Sequence, residues 1–451
     1  GGGGGGGGGG GVGGGGGGGG WGGGGGGGGF GGGGLGGGDW GEGIGGSAVP
    51  ARLFERSSRF PVSEPILVRY RLLGCPDEAT ALKKGESVAV GMTVGSWTDL
   101  PAAEQEAMRP YKGSAVASGM EAGGDAWVEV AYPAGNFPAR LPALLTCVFG
   151  KLSLDARVQL ADVTLPPTFA AGFPGPQFGI RGVRERAGIS GRPLLMSIFK
   201  SGLGMSLEDF AQAFAEQADG GVDLIKDDEI VFDTRAFERI RAVAPIVEAR
   251  ARSGRPLIYA VNLGGPVEEL TTRARCLVEA GAGALLLNVA AYGFDSLHSL
   301  AAAKLGVPLL AHPAVAGAIT GIDRHLILGK FMRWCGADLV LFPGAYGSLA
   351  IPQSDAEAIK AALVSASKLH RRSWPVPSAG IHPGMVARLQ ADFGNDYVVN
   401  AGGAIHGHPL GVQGGVVAFR QAIARVSGGM ELAGADEPEL KAALEKWGIA
   451  E

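Results

Sequence analysis

The sequence predicts an α/β protein in which a C-terminal (β/α)8 TIM barrel follows a small α+β domain of ferredoxin-like type. Three observations lead there. From about Pro193, eight short apolar runs recur roughly every 30 residues, each ending in polar or small residues. Amphipathic stretches separate them, among them residues 206–218, 237–253 and 355–369. Reactive residue types collect at the C-terminal ends of the runs, which is where a barrel of parallel strands carries its site. An open doubly wound sheet is the rival arrangement, but no Gly-x-Gly-x-x-Gly follows a first strand.

The chain begins with a glycine-rich leader. Of 84 glycines in 451 residues, 38 fall within the first 46 positions, interrupted only by eight others such as Trp21, Phe30 and Asp39. Such a stretch has too little apolar surface to offset its ordering entropy, so residues 1–46 are expected to be disordered or foreign to the native protein. Residues 47–166 mix strand-like runs (66–70 and 126–130) with helical pieces and read as the α+β domain. The apolar stretch 141–149 within it is expected to pack inside. Residues 167–430 hold the barrel and 431–451 a helical tail.

The strands of the barrel are expected at 195–200, 223–229, 257–263, 284–289, 308–312, 338–343, 375–380 and 397–403. A formal charge of −4 and a pI near 6.1 argue against nucleic acid or an anionic membrane as the main partner. Cys75, Cys147, Cys276 and Cys335 are scattered, without Cys-x-x-Cys pairs, as in a reducing cytosol. No run approaches the ~18 apolar residues of a membrane span, and the leader lacks the basic and apolar regions of a signal peptide. A cytoplasmic protein is expected.

Lys200 ends the first run and Lys226-Asp227-Asp228-Glu229 the second. Asn262 and Asn288 lie near the ends of the third and fourth, His312 ends the fifth, Ser378 and Gly380 the seventh, and Gly402-Gly403 the eighth. Alternation puts Lys226 and Asp228 on one face, with Glu229 on the turn. Two carboxylates at a strand end suit Mg²⁺, a hard ion that accepts few protein ligands and leaves room for substrate oxygens. A plain ammonium would repel the ion, whereas Lys226 carbamylated by CO₂ would add a third anionic oxygen. The bland alternative for an isolated Lys-Asp-Asp-Glu is a solvated turn; lysine and histidine opposite favour the site. Glycine-rich ends at the seventh and eighth strands let backbone amides approach a phosphate. His382, His406 and His408 read as loop or supporting residues, and His298, His325 and His370 as residues of helical stretches without chemistry.

These residues carry a resemblance. The stretches 193–200, 220–229 and 173–176, with Thr93-Val-Gly-Ser-Trp-Thr98, resemble the RuBisCO large subunit, and the likeness runs from about Val68 to the C-terminus. Carboxylating members have Lys-Pro-Lys after the first strand, where this chain reads Lys200-Ser201-Gly202; a lysine in the sixth-strand loop, where it reads residues 342–348 without one; and an arginine where it has Pro313. The resemblance therefore implies no CO₂ fixation. Among RuBisCO-like proteins (type IV), the chain is most similar to the 2,3-diketo-5-methylthiopentyl-1-phosphate enolases of methionine salvage, through stretches 148–154, 311–313, 375–384, 400–403 and 405–409. It departs from them at Met205, where they carry an arginine.

That likeness implies Mg²⁺, one per subunit, on carbamylated Lys226 (N6-carboxylysine), Asp228 and Glu229. Lys151, an asparagine in RuBisCO, is implied as the base that takes a proton from C1. Lys200, His312 and the 226–229 cluster, Asp227 included, are expected to contact substrate, and Gly380, Gly402 and Gly403 to hold its phosphate. The family also implies a homodimer with a shared active site, the N-terminal domain of one subunit capping the barrel of the other. A 5-methylthioribulose-1-phosphate isomerase, a sugar-acid-phosphate decarboxylase and a non-catalytic regulator stay open as alternatives; the first two use the same metal cluster, and the retained base argues against the third.

Overall fold

The structure is a computed structural model and describes residues 64–200, 202–232 and 235–450. The leader and Ser201 lie outside the described residues.

The first described elements form an antiparallel sheet. Its strands are β1 (Ile66–Leu72), β2 (Ser114–Met120), β3 (Ala126–Tyr132) and β4 (Val158–Thr164), in the order β2-β3-β1-β4. Helix Glu78–Gly91 connects β1 to β2 and helix Leu141–Phe149 connects β3 to β4, which gives the ferredoxin-like βαββαβ arrangement. The first of these helices starts at Asp77, whose side chain accepts from the Thr80 amide, one of the donors an N-terminus leaves free. Leu141, Leu144, Val148 and Phe149 are buried on the second, as the apolar stretch 141–149 predicts.

The eight expected barrel strands all form. They are β5 (Leu194–Ile198), β6 (Leu224–Lys226), β7 (Ile258–Asn262), β8 (Ala284–Asn288), β9 (Leu309–His312), β10 (Leu339–Pro343), β11 (Trp374–Ser378) and β12 (Val398–Ala401). The hydrogen-bonded order β11-β10-β9-β8-β7-β6-β5-β12 is parallel at each pairing. Asn400 Nδ2 donates to Ser378 Oγ (2.8 Å), so β12 lies against β11 and the sheet curls into a barrel, not an open sheet. Three amphipathic stretches become helices Leu207–Gly220, Ala236–Arg252 and Gln353–Val364. The last ends earlier than the sequence pattern suggests, so His370 sits in the turn before β11 and not in a helix. A further helix, Pro438–Trp447, lies in the expected tail.

Alternating residues divide the barrel's apolar content between two cores. Leu194, Met196, Leu224, Ala260, Leu286, Leu310, Leu341 and Val376 fill the interior, and helix Gly179–Ala187 closes its lower end with Ile180, Val183 and Ala187. The opposite parity, for example Leu195, Ile225, Val261 and Leu287, packs outward against the helices.

The lower helix is held by one buried carboxylate. Asp338, just before β10, accepts from the Phe178 and Gly179 amides (both 2.7 Å) on Oδ1 and from the Leu309 amide (3.0 Å) on Oδ2. Asp338→Asn would turn an amide NH₂ toward one of these N–H donors. A loss of about 1–3 kcal/mol is expected, read as a lower urea midpoint at unchanged denaturant slope.

Candidate active site

Strand parity also decides what the barrel presents at its mouth. Continuing the inward positions one step beyond the aliphatic interior reaches Lys226 and Asp228 on and after β6, Asn262 on β7, Asn288 on β8 and His312 on β9. Across from them stand Ser378 on β11 and Asn400 on β12. Apart from Ile198 and Pro343, this top layer is polar, whereas the layers beneath are apolar.

A cavity of about 340 Å³ opens there. Lys200, Glu229, His312, Gly380, Gly402 and Gly403 all line it, so six expected site residues from five strand ends meet in one place. Lys200 Nζ donates to Asp228 Oδ2 (2.7 Å), Lys226 Nζ to the Asp227 carbonyl (3.0 Å) and Glu229 Oε2 (3.4 Å), and His312 Nε2 lies 3.3 Å from Glu229 Oε2. Lys226 is fully buried, and that burial pushes its ammonium below the ordinary lysine range despite the opposing charges of Glu229 and Asp228. Burial pushes the Glu229 carboxyl up, but its hydrogen bond with Asp228 and the charge of Lys226 outweigh this and hold it low.

Asp227 departs from expectation. Its carboxylate has the outward parity, accepts from Tyr259 Oη (2.7 Å) and the Asn262 amide (3.0 Å), and pairs with Arg239 (3.5 Å) on the surrounding helix. All of these partners lie behind the strand, so Asp227 anchors the turn and does not reach the cavity. The same turn is gripped from the front: Asn262 Nδ2 donates to the Glu229 (3.3 Å) and Val231 (2.9 Å) carbonyls, and Asn288 Nδ2 to the Glu229 carbonyl (3.1 Å). Two strands thus hold one carbonyl, which fixes where the Glu229 carboxylate starts.

The tautomer of His312 follows from its contacts. Nδ1 accepts from the Ala314 amide (3.2 Å), so the proton sits on Nε2, facing Glu229 and the cavity. Burial, with the charge of Lys226 added, pushes its pKa down to about 3. Val315 and Ala379, just after β9 and β11, both adopt positive φ (70° and 73°), a conformation costly for side chains with a Cβ and concentrated at working sites. Gly380 follows at φ 82°, and a Cβ there would meet the Ser348 amide at 2.6 Å. Gly402 and Gly403 open the short helix Gly403–His406, whose first amides have no partner within it.

Lys151 does not line the cavity of its own chain. It opens the turn Lys151–Leu154 after helix Leu141–Phe149, is exposed, and donates from Nζ to the Gly91 carbonyl (2.7 Å), two residues before the Thr93–Thr98 motif. His406 and His408 bond backbone carbonyls of Ile198 and Glu439, as supporting residues would. Asn400, although within the 400–403 stretch, is not among the residues the sequence marks as functional; its shared parity with Gly402 is the signal that would have marked it.

An eight-stranded parallel barrel with acid, amine and glycine-loop groups gathered at its mouth, preceded by a ferredoxin-like domain, defines a class, and comparison with known families agrees. Residues 54–169 match the N-terminal domain and residues 179–447 the catalytic domain of the ribulose bisphosphate carboxylase large chain. The chain belongs to the RuBisCO large-chain family. It is 46% identical over 401 residues to the 2,3-diketo-5-methylthiopentyl-1-phosphate enolase of Geobacillus kaustophilus, spanning 83% of this chain and 97% of that one. The enolase of the same name from Bacillus licheniformis is 47% identical over 394 residues, 84% of this chain and 96% of its own. The crystal structure of a RuBisCO-like protein from Alicyclobacillus acidocaldarius superposes with a TM-score of 0.79 at 44% identity, covering 85% of this chain and all of that one.

A histidine held neutral to about pH 3 binds fewer protons when folded than when unfolded, where it titrates near 6.5. Its contribution to stability is therefore complete above about 6.5 and is lost as pH falls toward 3. Nitrogen NMR of the chain without added divalent ion should show His312 as the neutral Nε2–H form throughout pH 5–8, and His312→Asn should flatten the acid limb of stability against pH.

Proposed function

We propose that the protein is a keto–enol isomerase that converts 2,3-diketo-5-methylthiopentyl-1-phosphate to 2-hydroxy-3-keto-5-methylthiopentenyl-1-phosphate, the enolase step of methionine salvage, in the cytoplasm. The observation that carries this reading is the meeting of Lys200, Glu229 and His312 with the Gly380 and Gly402-Gly403 loops in one cavity, in a chain nearly half identical to proteins bearing that enolase name.

Lys226, Asp228 and Glu229 are the residues that would hold one Mg²⁺, with Lys226 as its CO₂ carbamate. Asp228 and Glu229 offer two carboxylates, and a carbamate on Lys226 would supply a third anionic oxygen. The contacts fit that role: the Lys226 amine lies beside Glu229, and burial favours the neutral form that reacts with CO₂. Replacing an ammonium by a carbamate leaves three anions against Lys200, an excess suited to a divalent ion. A bound Mg²⁺ supplies Lewis-acid polarisation of the neighbouring substrate oxygens.

The chain's own groups do the rest. Lys151 Nζ takes the C1 proton, the C–H electron pair becomes the C1–C2 double bond, the C2=O π pair moves onto the C2 oxygen, and that oxygen is then protonated, so no net proton is gained or lost. No electrons leave the substrate. Lys200 Nζ and His312 Nε2–H donate to the reacting oxygens, and the amides of Gly380, Gly402 and Gly403 hold the phosphate. Pro313, Leu341 and Leu349 give the cavity an apolar side for the methylthio tail.

Lys151 reaches a cavity in this reading because two copies pair, each offering its N-terminal domain to the other's barrel. Exposed apolar residues support that arrangement. Leu203, Ile230, Phe232, Val315 and Leu349 stand around the barrel mouth at 53–69% exposure, and Leu154, three residues from Lys151, is 88% exposed. Such a ring is costly to leave in water.

Lys151→Ala is expected to abolish exchange of the C1 proton with solvent deuterium while Mg²⁺ affinity stays intact; undiminished exchange removes Lys151 as the base. Turnover followed by NMR should need both bicarbonate and Mg²⁺ and should consume the diketone phosphate but not 5-methylthioribulose-1-phosphate. Lys226→Ala should lose both dependences along with turnover.

A further inference from the structure

The glycine loops after β11 and β12 do not stand alone. Helix Pro438–Trp447 contacts both, and none of its residues lines the cavity. The Trp447 ring sits 6.3 Å from His382 of the first loop, nearly parallel at 21°, and 6.1 Å from His408 of the second. Beyond the helix, the Ala450 amide donates to the Gly384 carbonyl (3.0 Å). The approach there is close enough that a Cβ on Gly384 would lie 1.9 Å from the Gly448 carbonyl oxygen. On the second loop, Lys446 Nζ donates to the Gly407 carbonyl (2.6 Å). His408 Nδ1 accepts from the Leu410 amide (3.1 Å), so Nε2 carries the proton and donates to the Glu439 carbonyl (2.9 Å).

One short segment therefore touches both loops through at least five contacts. Gly380 is two residues from His382, and Gly403 is five from His408. Every residue of the segment lies outside the cavity lining. Leu440 and Ala443 anchor the helix in the core, while Lys446, Trp447 and Ala450 make its contacts to the two loops. Amides that share one phosphate must keep their spacing to within a fraction of an ångström, and a ring wedged between the loops sets it.

We infer that residues 439–450 form a clamp that sets the spacing of the two glycine loops, with Trp447 as a positioning residue for the bound phosphate. This rests on the reading that those loops hold phosphate. It assigns the C-terminal segment to the construction of the site, and makes phosphate affinity depend on an indole that never touches the ligand.

Calorimetric titration of the full chain with inorganic phosphate tests it. Trp447→Ala should weaken binding about tenfold or more, Trp447→Phe should keep most of it, and Lys441→Ala, exposed on the same helix, should not change it. Gly384→Ala pushes on the same contact from the other side and should weaken binding as well. Phosphate bound as tightly by folded Trp447→Ala and Gly384→Ala as by the wild type overturns the clamp alone. A wild-type chain that binds no phosphate overturns the loops' role and the clamp with it. Coupling is reciprocal, so in the unmodified chain saturating phosphate should slow hydrogen exchange at the Ala450 amide; unchanged exchange overturns the clamp without recourse to any variant.

Discussion

Lys226 brings an amine into a wholly buried position above a barrel interior filled with apolar side chains, and that charge has to be met. Its nearest acceptors are the Asp227 carbonyl and the Glu229 carboxylate, while Asp228 is shared with Lys200. The four groups are balanced as they stand. Converting the amine to the carbamate proposed above would upset that balance in the direction a divalent cation corrects, and would link the packing of the barrel to the chemistry of its mouth through one buried lysine.

The turn that carries these groups is held from two sides. Behind it, Asp227 is locked by Tyr259, Arg239 and the Asn262 amide; in front, Asn262 and Asn288 grip the Glu229 and Val231 carbonyls. Since an unpaired buried polar group is costly, this turn cannot drift without breaking several bonds together. Preorganisation of this kind lets a weakly basic set of oxygens and amines act without reorganising at each turnover. At the lower end of the barrel Asp338 and Asp223 play the corresponding structural part, each accepting from the backbone amide near the start of a neighbouring strand.

Two pieces from outside the barrel complete the picture. The N-terminal sheet is tied to the connection after β9 by Arg71, which makes a bidentate pair with Asp323 (3.0 and 3.1 Å), and by Leu160 to Gly321. The C-terminal helix is tied to the loops after β11 and β12. The segments before and after the barrel are thus both joined to connections that follow its strands.

Much of this was legible in the residues themselves. Eight apolar runs with polar ends were enough to place all eight barrel strands, because a strand buried on both faces must be apolar throughout and can turn polar only where it leaves the barrel. Lys200, Glu229, His312, Gly380, Gly402 and Gly403 were legible for the same reason, each standing at such an end. Asp227 was not: one step of strand parity sends its carboxylate to Tyr259 and Arg239, and a run of four charged letters does not reveal which of them faces inward. The grip of Asn262 and Asn288 on a single carbonyl, the neutral Nε2–H form of His312 and the wedge of Trp447 between His382 and His408 were likewise decided only by the tertiary structure. Local pattern records how each segment meets water and core, whereas these contacts join residues 33 or more positions apart, or depend on which way a side chain turns, and neither is written in periodicity.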